Sequence, residues 1–205
     1  MKIPFSRPWI TNEDVSAVKR ALKNRWLTNG PFLKSFENNF CRKIKTKHAI
    51  GVSSATAGLH LAMRSLNVKE GDEVIVPTMT FAATANAVIY CGATPVLADI
   101  DPDTFNVKPL EIKKKITKRT KAVIVVHYGG QSCEMEEISK ICDEKRIPIV
   151  EDCAHALGAT YKKQNCGTIG KIGVFSFYPT KIITTGEGGM VITNDSYVAD
   201  RIVKL

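Results

Sequence analysis

Residues 121–152, "KAVIVVHYGGQSCEMEEISKICDEKRIPIVED", decide the fold. The two short apolar runs "KAVIVVH" and "IPIVED" read as strands buried on both faces, because polar residues do not alternate with apolar ones along them. Between them, "EMEEISKICDEK" carries a helical pattern. Strand, helix and strand of this kind form the parallel unit of an α/β fold.

The same rhythm extends in both directions. Upstream, "AIGV", "DEVIVP" and "TPVLADI" read as buried strands, with "TAGLHLAMRSL" and "FAATANAVIY" as helices between them. Downstream, "GATYKKQNCGTIG" interrupts with Gly-rich turns before two β runs, "GVFSFY" and "GMVITN". The expectation is a mainly parallel, seven-stranded sheet flanked by helices.

Ahead of the first strand, "ITNEDVSAVKRALKN" reads as a helix. Thr11 and Asp14 form a capping box, and Val15, Val18, Ala21 and Leu22 recur at helical spacing. "TNGP" breaks this helix, and "PFLKSFENNFCRKI" restarts one with Pro31 near its first turn. At the other end "SYVADRIVKL" is an amphipathic pattern that reaches residue 205 without a Gly or Pro terminator. It reads as a chain cut within a helix, a fragment or a protein lacking a following domain.

The composition is that of a soluble globular protein, with 44% hydrophobic and 24% charged residues among 205. No run has the eighteen or so apolar residues that a membrane helix needs. "MKIPFSRPWI" has no apolar export core. Six scattered cysteines, none in a C-x-x-C pair, fit buried free thiols and a reduced, cytoplasmic compartment. The net charge of +9 raises a nucleic-acid partner, but much of it sits in "KPLEIKKKITKRTKA", which reads as a solvated helix face and loop. No recognition motif accompanies it, so the expectation is no nucleic-acid partner.

Ligands of open α/β sheets bind beyond the carboxyl ends of the strands. "SSATAGLHLA" after the first strand opens a helix with small residues, which suits either a phosphate at the helix start, with Thr56 adding a bond, or plain capping by Ser53 or Ser54. No Gly-rich dinucleotide fingerprint or P-loop occurs. "EDCAHALGA" puts Glu151 and Asp152 at a strand end, where side-chain alternation sends one of them into the site. A carboxylate there could bind a metal, act as a base, pair with a ring nitrogen or merely cap the next helix. With only His155 nearby, a metal is not expected.

Lys181, in "FSFYPTKIITTGEGGMV", follows an apolar, aromatic run and has no neighbouring charge before Glu187. It could snorkel or pair with Glu187. Alternatively, desolvation would lower its pKa and leave a nucleophilic amine able to form Schiff bases. A phosphate cradle, a strand-end carboxylate and an enclosed amine together meet the needs of pyridoxal 5′-phosphate (PLP): its phosphate, its pyridine nitrogen and its aldehyde.

These residues resemble the DegT/DnrJ/EryC1/StrS sugar aminotransferases, PLP enzymes of the aspartate aminotransferase fold. The resemblance runs through "IPFSRPWI", "WLTNGP", "SSATAGLHLA", "GDEVIVPTMTFAATANAV", "GATPVLADID", "VHYGGQ", "EDCAHALGA", "GVFSFYPTKIITTGEGG" and "VITND". It implies that Lys181 is the Schiff-base lysine that also moves the proton, and that Asp152 keeps the pyridine nitrogen protonated. It implies further that His155 lies beside the ring, that Phe81 stacks on its opposite face, and that Ala55, Thr56 and Ser176 contact the phosphate. Relatives that dehydrate sugars carry histidine at the lysine position, so Lys181 implies transamination.

The implied substrates are an amino-acid donor, usually glutamate, and a keto sugar on a nucleoside diphosphate. "SRPWI", "SSATAG" and "VHYGG" lie closest to enzymes that aminate UDP-linked 4-keto sugars. The family also implies a homodimer and a smaller C-terminal domain. On that pattern residues 1–205 would hold the N-terminal segment and the PLP-binding large domain, with the small domain absent from this chain. The alternatives are a catalytically incomplete fragment and one half of a split enzyme.

Overall fold

A computed structural model of the chain describes residues 3–4 and 6–205. Met1, Lys2 and Phe5, within the "MKIPFSRPWI" stretch read above, lie outside the described residues. Two helices come first, α1 (Asn12–Lys23) and α2 (Pro31–Ile44). Strands and helices then alternate: β1 (His48–Val52), α3 (Ala55–Ser65), β2 (Glu73–Pro77), α4 (Ala82–Ile89) and β3 (Thr94–Ala98). α5 (Pro109–Lys115), β4 (Thr120–Val126), α6 (Met135–Lys145) and β5 (Ile149–Asp152) complete that run. A small hairpin, β6 (Thr160–Tyr161) and β7 (Gln164–Asn165), precedes β8 (Ile172–Ser176), β9 (Gly189–Thr193) and α7 (Ser196–Lys204).

Seven strands form one sheet in the order β1-β9-β8-β5-β4-β2-β3. Only β9 runs against its neighbours. The sheet is therefore mainly parallel, as the uninterrupted apolar strands required. The hairpin β6–β7 lies apart, in the segment whose glycines and polar residues read as turns.

Side-chain alternation gives the sheet two distinct faces. Val74, Val76, Ala122, Ile124, Val150, Val174 and Val191 pack with Leu59 and Met63 of α3, Val88 of α4 and Ile202 of α7. From the opposite face Ile75, Val123, Val125 and Ile149 pack with Ile112 of α5 and Ile138 and Cys142 of α6. Phe40 and Ile44 of α2 join Phe175, Phe177, Met190 and Ile192 in a third cluster. Truncating Leu59, which is fully buried, to alanine would cost about 2–5 kcal/mol. Helices on both faces of the sheet leave the C-terminal ends of β1, β2, β4, β5 and β8 together at one edge.

α1 is capped as expected: Asp14 N donates to Thr11 Oγ1 at 3.3 Å, and Thr11 N donates to Asp14 Oδ2 at 2.8 Å. Its apolar stripe, however, is not covered by the described residues, and Val15, Val18 and Leu22 are each about 60% exposed. The cysteines are free, with Cys133, Cys142, Cys153 and Cys166 buried. Burial pushes the Cys133 and Cys142 thiols up to about 12. No helix among the described residues is long and apolar enough to cross a membrane.

Candidate active site

At the end of β5 the alternation separates two neighbouring carboxylates. Val150 faces α3 and α4, so Asp152 does too, while Glu151 faces the other way. Asp152 is 5% exposed. Its Oδ1 accepts from Ala154 N at 3.0 Å and its Oδ2 from Thr84 Oγ1 at 3.0 Å. Burial raises its pKa, against the two hydrogen bonds and the nearby His155 and His127.

Glu151 is fully buried and has a structural job. It accepts from Gly167 N at 2.7 Å, Ile169 N at 2.7 Å and Gly170 N at 2.5 Å. His127 Nδ1 accepts from Cys133 N at 3.1 Å, so the ring proton of the neutral imidazole sits on Nε2 and points at Glu151 Oε2, 2.9 Å away. The ligand atoms of His127, Glu151 and Cys153 lie within 4.8 Å of one another, but those of the histidine and the carboxylate are already bonded within the protein.

Lys181 sits in the loop between β8 and β9, where its N–H donates to Tyr178 O at 2.9 Å. Phe177 O, which accepts from Thr185 N at 3.0 Å and Thr184 Oγ1 at 2.9 Å, folds the loop back on itself. The lysine is half-buried and forms no ion pair among the described residues, Glu187 included. Burial lowers its pKa, and the Asp152 charge opposes this. The amine thus lies within range of the carboxylate's charge. A cavity of about 760 Å³ opens beside Lys181, walled by Trp9, Ile10, Val15 and Val18 and by the loop at Ile182 and Thr184.

The start of α3 meets the same edge. Ser54 is its N-cap: Ala57 N donates to Ser54 Oγ at 3.1 Å and Gly58 N to Ser54 O at 3.0 Å. The amides of Ala55 and Thr56, in the first turn, have no intrahelical partner. Close packing brings this turn to the sheet. A Cβ at Gly58 would lie 2.8 Å from Val174 Cγ1, and one at Gly189 would lie 2.7 Å from Ala55 N. Ser176 shares the face of Val174, toward α3, and its Oγ accepts from Tyr178 N at 3.4 Å.

His155 lies just past Asp152. Its Nδ1 accepts from Gly129 N at 3.4 Å, and its ring meets Tyr128 edge-on at 6.1 Å. Burial first, then the Lys181 charge, lowers its pKa, while Asp152 opposes both. Phe81 is the N-cap residue of α4 and is 77% exposed. The residues named from the sequence therefore occupy the strand-end edge and the helix starts beside it. Thr84, Tyr128 and Gly189 were not singled out there. Thr84 alone carried a signal, as the polar residue on the otherwise apolar buried face of the "AATANAVI" helix.

This donor set suits PLP. Asp152 takes two hydrogen bonds of the roughly four its carboxylate can accept, leaving room for a ring N–H. The α3 amides offer an anion cradle, and Lys181 offers an amine weakened in its hold on a proton.

The fold is that of the aminotransferases that hold PLP. The chain belongs to the DegT/DnrJ/EryC1/StrS aminotransferase family, whose sequence model matches residues 8–205. It is 45% identical over 200 residues to the spore coat polysaccharide biosynthesis protein SpsC of Bacillus subtilis (strain 168), covering 98% of this chain and 51% of that protein. It is 43% identical over 200 residues to GDP-perosamine synthase of Escherichia coli O157:H7, covering 97% of this chain and 55% of the relative. The PLP form of Spr1654 from Streptococcus pneumoniae superposes with a TM-score of 0.96 at 35% identity, over 100% of this chain and 58% of that one. The chain spans about half the length of the relatives it matches. Family and PLP-form neighbour together imply PLP as the cofactor.

Proposed function

We propose that residues 1–205 are the N-terminal segment and cofactor-binding domain of a nucleotide-sugar aminotransferase. It takes an amino group from an amino acid, glutamate in this reading, and places it on a keto sugar carried by a nucleoside diphosphate. The observation that carries the reading is the convergence of the Lys181 amine, the Asp152 carboxylate and the α3 N-terminus on one edge of the sheet. A relative named for a GDP-linked amino sugar supports the nucleotide-sugar class. The finer assignment of a UDP-linked 4-keto sugar rests on the "SRPWI", "SSATAG" and "VHYGG" blocks, and competition among UDP-, GDP- and TDP-sugars tests it.

Bound PLP would supply an aldehyde to hold the amino group and a protonated ring to accept electrons. The amides of Ala55 and Thr56 and the Ser176 hydroxyl would take its phosphate. Asp152 would hold a proton on the ring nitrogen, with Phe81 and His155 bracketing the ring. Lys181 Nζ would be the amine that holds the aldehyde end and the base that moves a proton there.

The exposed apolar stripe of α1 supports a second, smaller domain packing there, in the same chain or a separate one. In this reading the active species is a cytoplasmic homodimer, and four buried free thiols support the reducing compartment.

Borohydride reduction of the chain with PLP, followed by peptide mass spectrometry, tests the proposal. The expected adduct lies on Lys181 and disappears in Lys181→Ala. A wild-type chain that is folded yet carries no adduct at Lys181 would overturn it.

A further inference from the structure

Burying a hydroxyl on an apolar helix face costs free energy unless it is bonded, so a threonine there needs a reason. Thr84 is 0% exposed and shares the inner face of α4 with Ala83, Ala87 and Val88. No side chain caps this helix, so the hydroxyl does not serve its end. Instead it reaches across to β5, 3.0 Å from Asp152 Oδ2. Behind it, Thr80 Oγ1 lies 2.7 Å from Thr84 Oγ1.

The direction of this chain follows from counting protons. An ionised carboxylate can only accept, and a hydroxyl has one proton. Thr84 therefore donates to Asp152, and the Thr80 hydroxyl donates to Thr84. One hydroxyl, itself held by a second, then points at one carboxylate oxygen, while Ala154 N holds the other. Thr84 cannot rotate away without breaking both of its bonds, so the carboxylate plane is fixed.

We propose that Thr84, backed by Thr80, is a positioning residue that holds Asp152 ionised and aimed at the ring nitrogen of the cofactor. This rests on the reading of Asp152 given above. Donors from Thr84 and Ala154 oppose the burial that favours the neutral acid. A protonated Asp152 could not stabilise a protonated ring.

Thr84→Val removes the donor at nearly constant shape, and Thr84→Ser restores it. Neither variant alters the titratable groups around Asp152: His127 at the end of β4, Glu151 and Cys153 beside it, His155 in the following turn and Lys181 in its loop. The first measurement needs no cofactor. It is the pH titration of the Asp152 carboxyl carbon by NMR in the 205-residue chain. Thr84→Val is expected to move that titration upward, and Thr84→Ser to leave it near the wild-type position. The second measurement is the affinity for PLP and for its 1-deaza analogue, which lacks the ring nitrogen. Thr84→Val is expected to weaken PLP binding about tenfold or more, with Thr84→Ser close to wild type and the analogue binding all three proteins alike. An unmoved Asp152 titration, or equal weakening of PLP and the analogue, would overturn the proposal. Failure of wild type to trap PLP on Lys181 would instead sink the cofactor reading and leave the titration standing.

Discussion

Glu151 and His127 meet at 2.9 Å with both side chains fully buried, one residue away from the carboxylate that faces the candidate site. The pair belongs to the scaffold: Glu151 gathers the amides of Gly167, Ile169 and Gly170 beneath the sheet while Asp152 turns toward α4. Two adjacent acids thereby divide structure from chemistry.

Replacing Glu151 with alanine leaves three amides and a histidine donor without their acceptor. Breaking such a buried set costs about 3–5 kcal/mol. Chemical denaturation of Glu151→Ala is expected to show that loss. In the same variant, amide exchange should speed up at Gly167, Ile169 and Gly170 before it does in β4. Wild-type stability would mean that the loop is held by other contacts.

Asp152 is expected to trade stability for function. Burial raises its folded pKa above the unfolded value, so the unfolded chain binds fewer protons across that window and the ionised acid destabilises the fold at higher pH. Asp152→Asn should therefore raise the melting temperature of the cofactor-free chain at neutral pH. The gain should fade as pH falls through the raised pKa, where the wild-type acid is already neutral. PLP binding should be lost. A neutral-pH melting temperature below wild type would reverse the assignment.

Lys181 should react with aldehydes at a lower pH than a surface lysine, because burial lowers its pKa. Asp152 opposes that shift, so Asp152→Asn should lower the Lys181 value further. The pH dependence of borohydride-trapped adduct, with a simple aldehyde that needs no ring partner, measures both. An upward shift in the Asp152→Asn variant would contradict the geometry.

Gly189 sits where β9 passes the first turn of α3. Its backbone is not in the left-handed region, so the constraint is space: an added Cβ would lie 2.7 Å from Ala55 N and 2.9 Å from Phe175 O. Gly189→Ala is expected to cost about 1–3 kcal/mol and to weaken binding of PLP through its phosphate end. Binding of pyridoxal, which lacks the phosphate, should change much less.

Phe81 gives the complementary case. Its exposed ring contributes little to the fold, so Phe81→Ala should leave stability within about 0.5 kcal/mol. Affinity for PLP should nonetheless fall, read from the absorption titration. A large loss of stability would reassign the ring to packing.

Local sequence determined the elements. Period-3.6 patterns, the Thr11–Asp14 box and the uninterrupted apolar strands depend on neighbours within one turn or one strand, and all of them are present in the fold. The same local chemistry singled out Lys181 as an amine set among apolar residues, and restricted the strand-end acid to Glu151 or Asp152. Which acid faced the site depended on the parity of β5 relative to helices packed from elsewhere in the chain. Thr84, 68 residues from Asp152, could be joined to it only once α4 packed on that face of the sheet. Likewise the need for glycine at 189 arises from the approach of Ala55, 134 residues earlier. Hydrogen bonds and close contacts act over about 3 Å in space, whatever the separation along the chain. The sequence could therefore specify the reacting groups, while only the packed sheet decided what holds them in place.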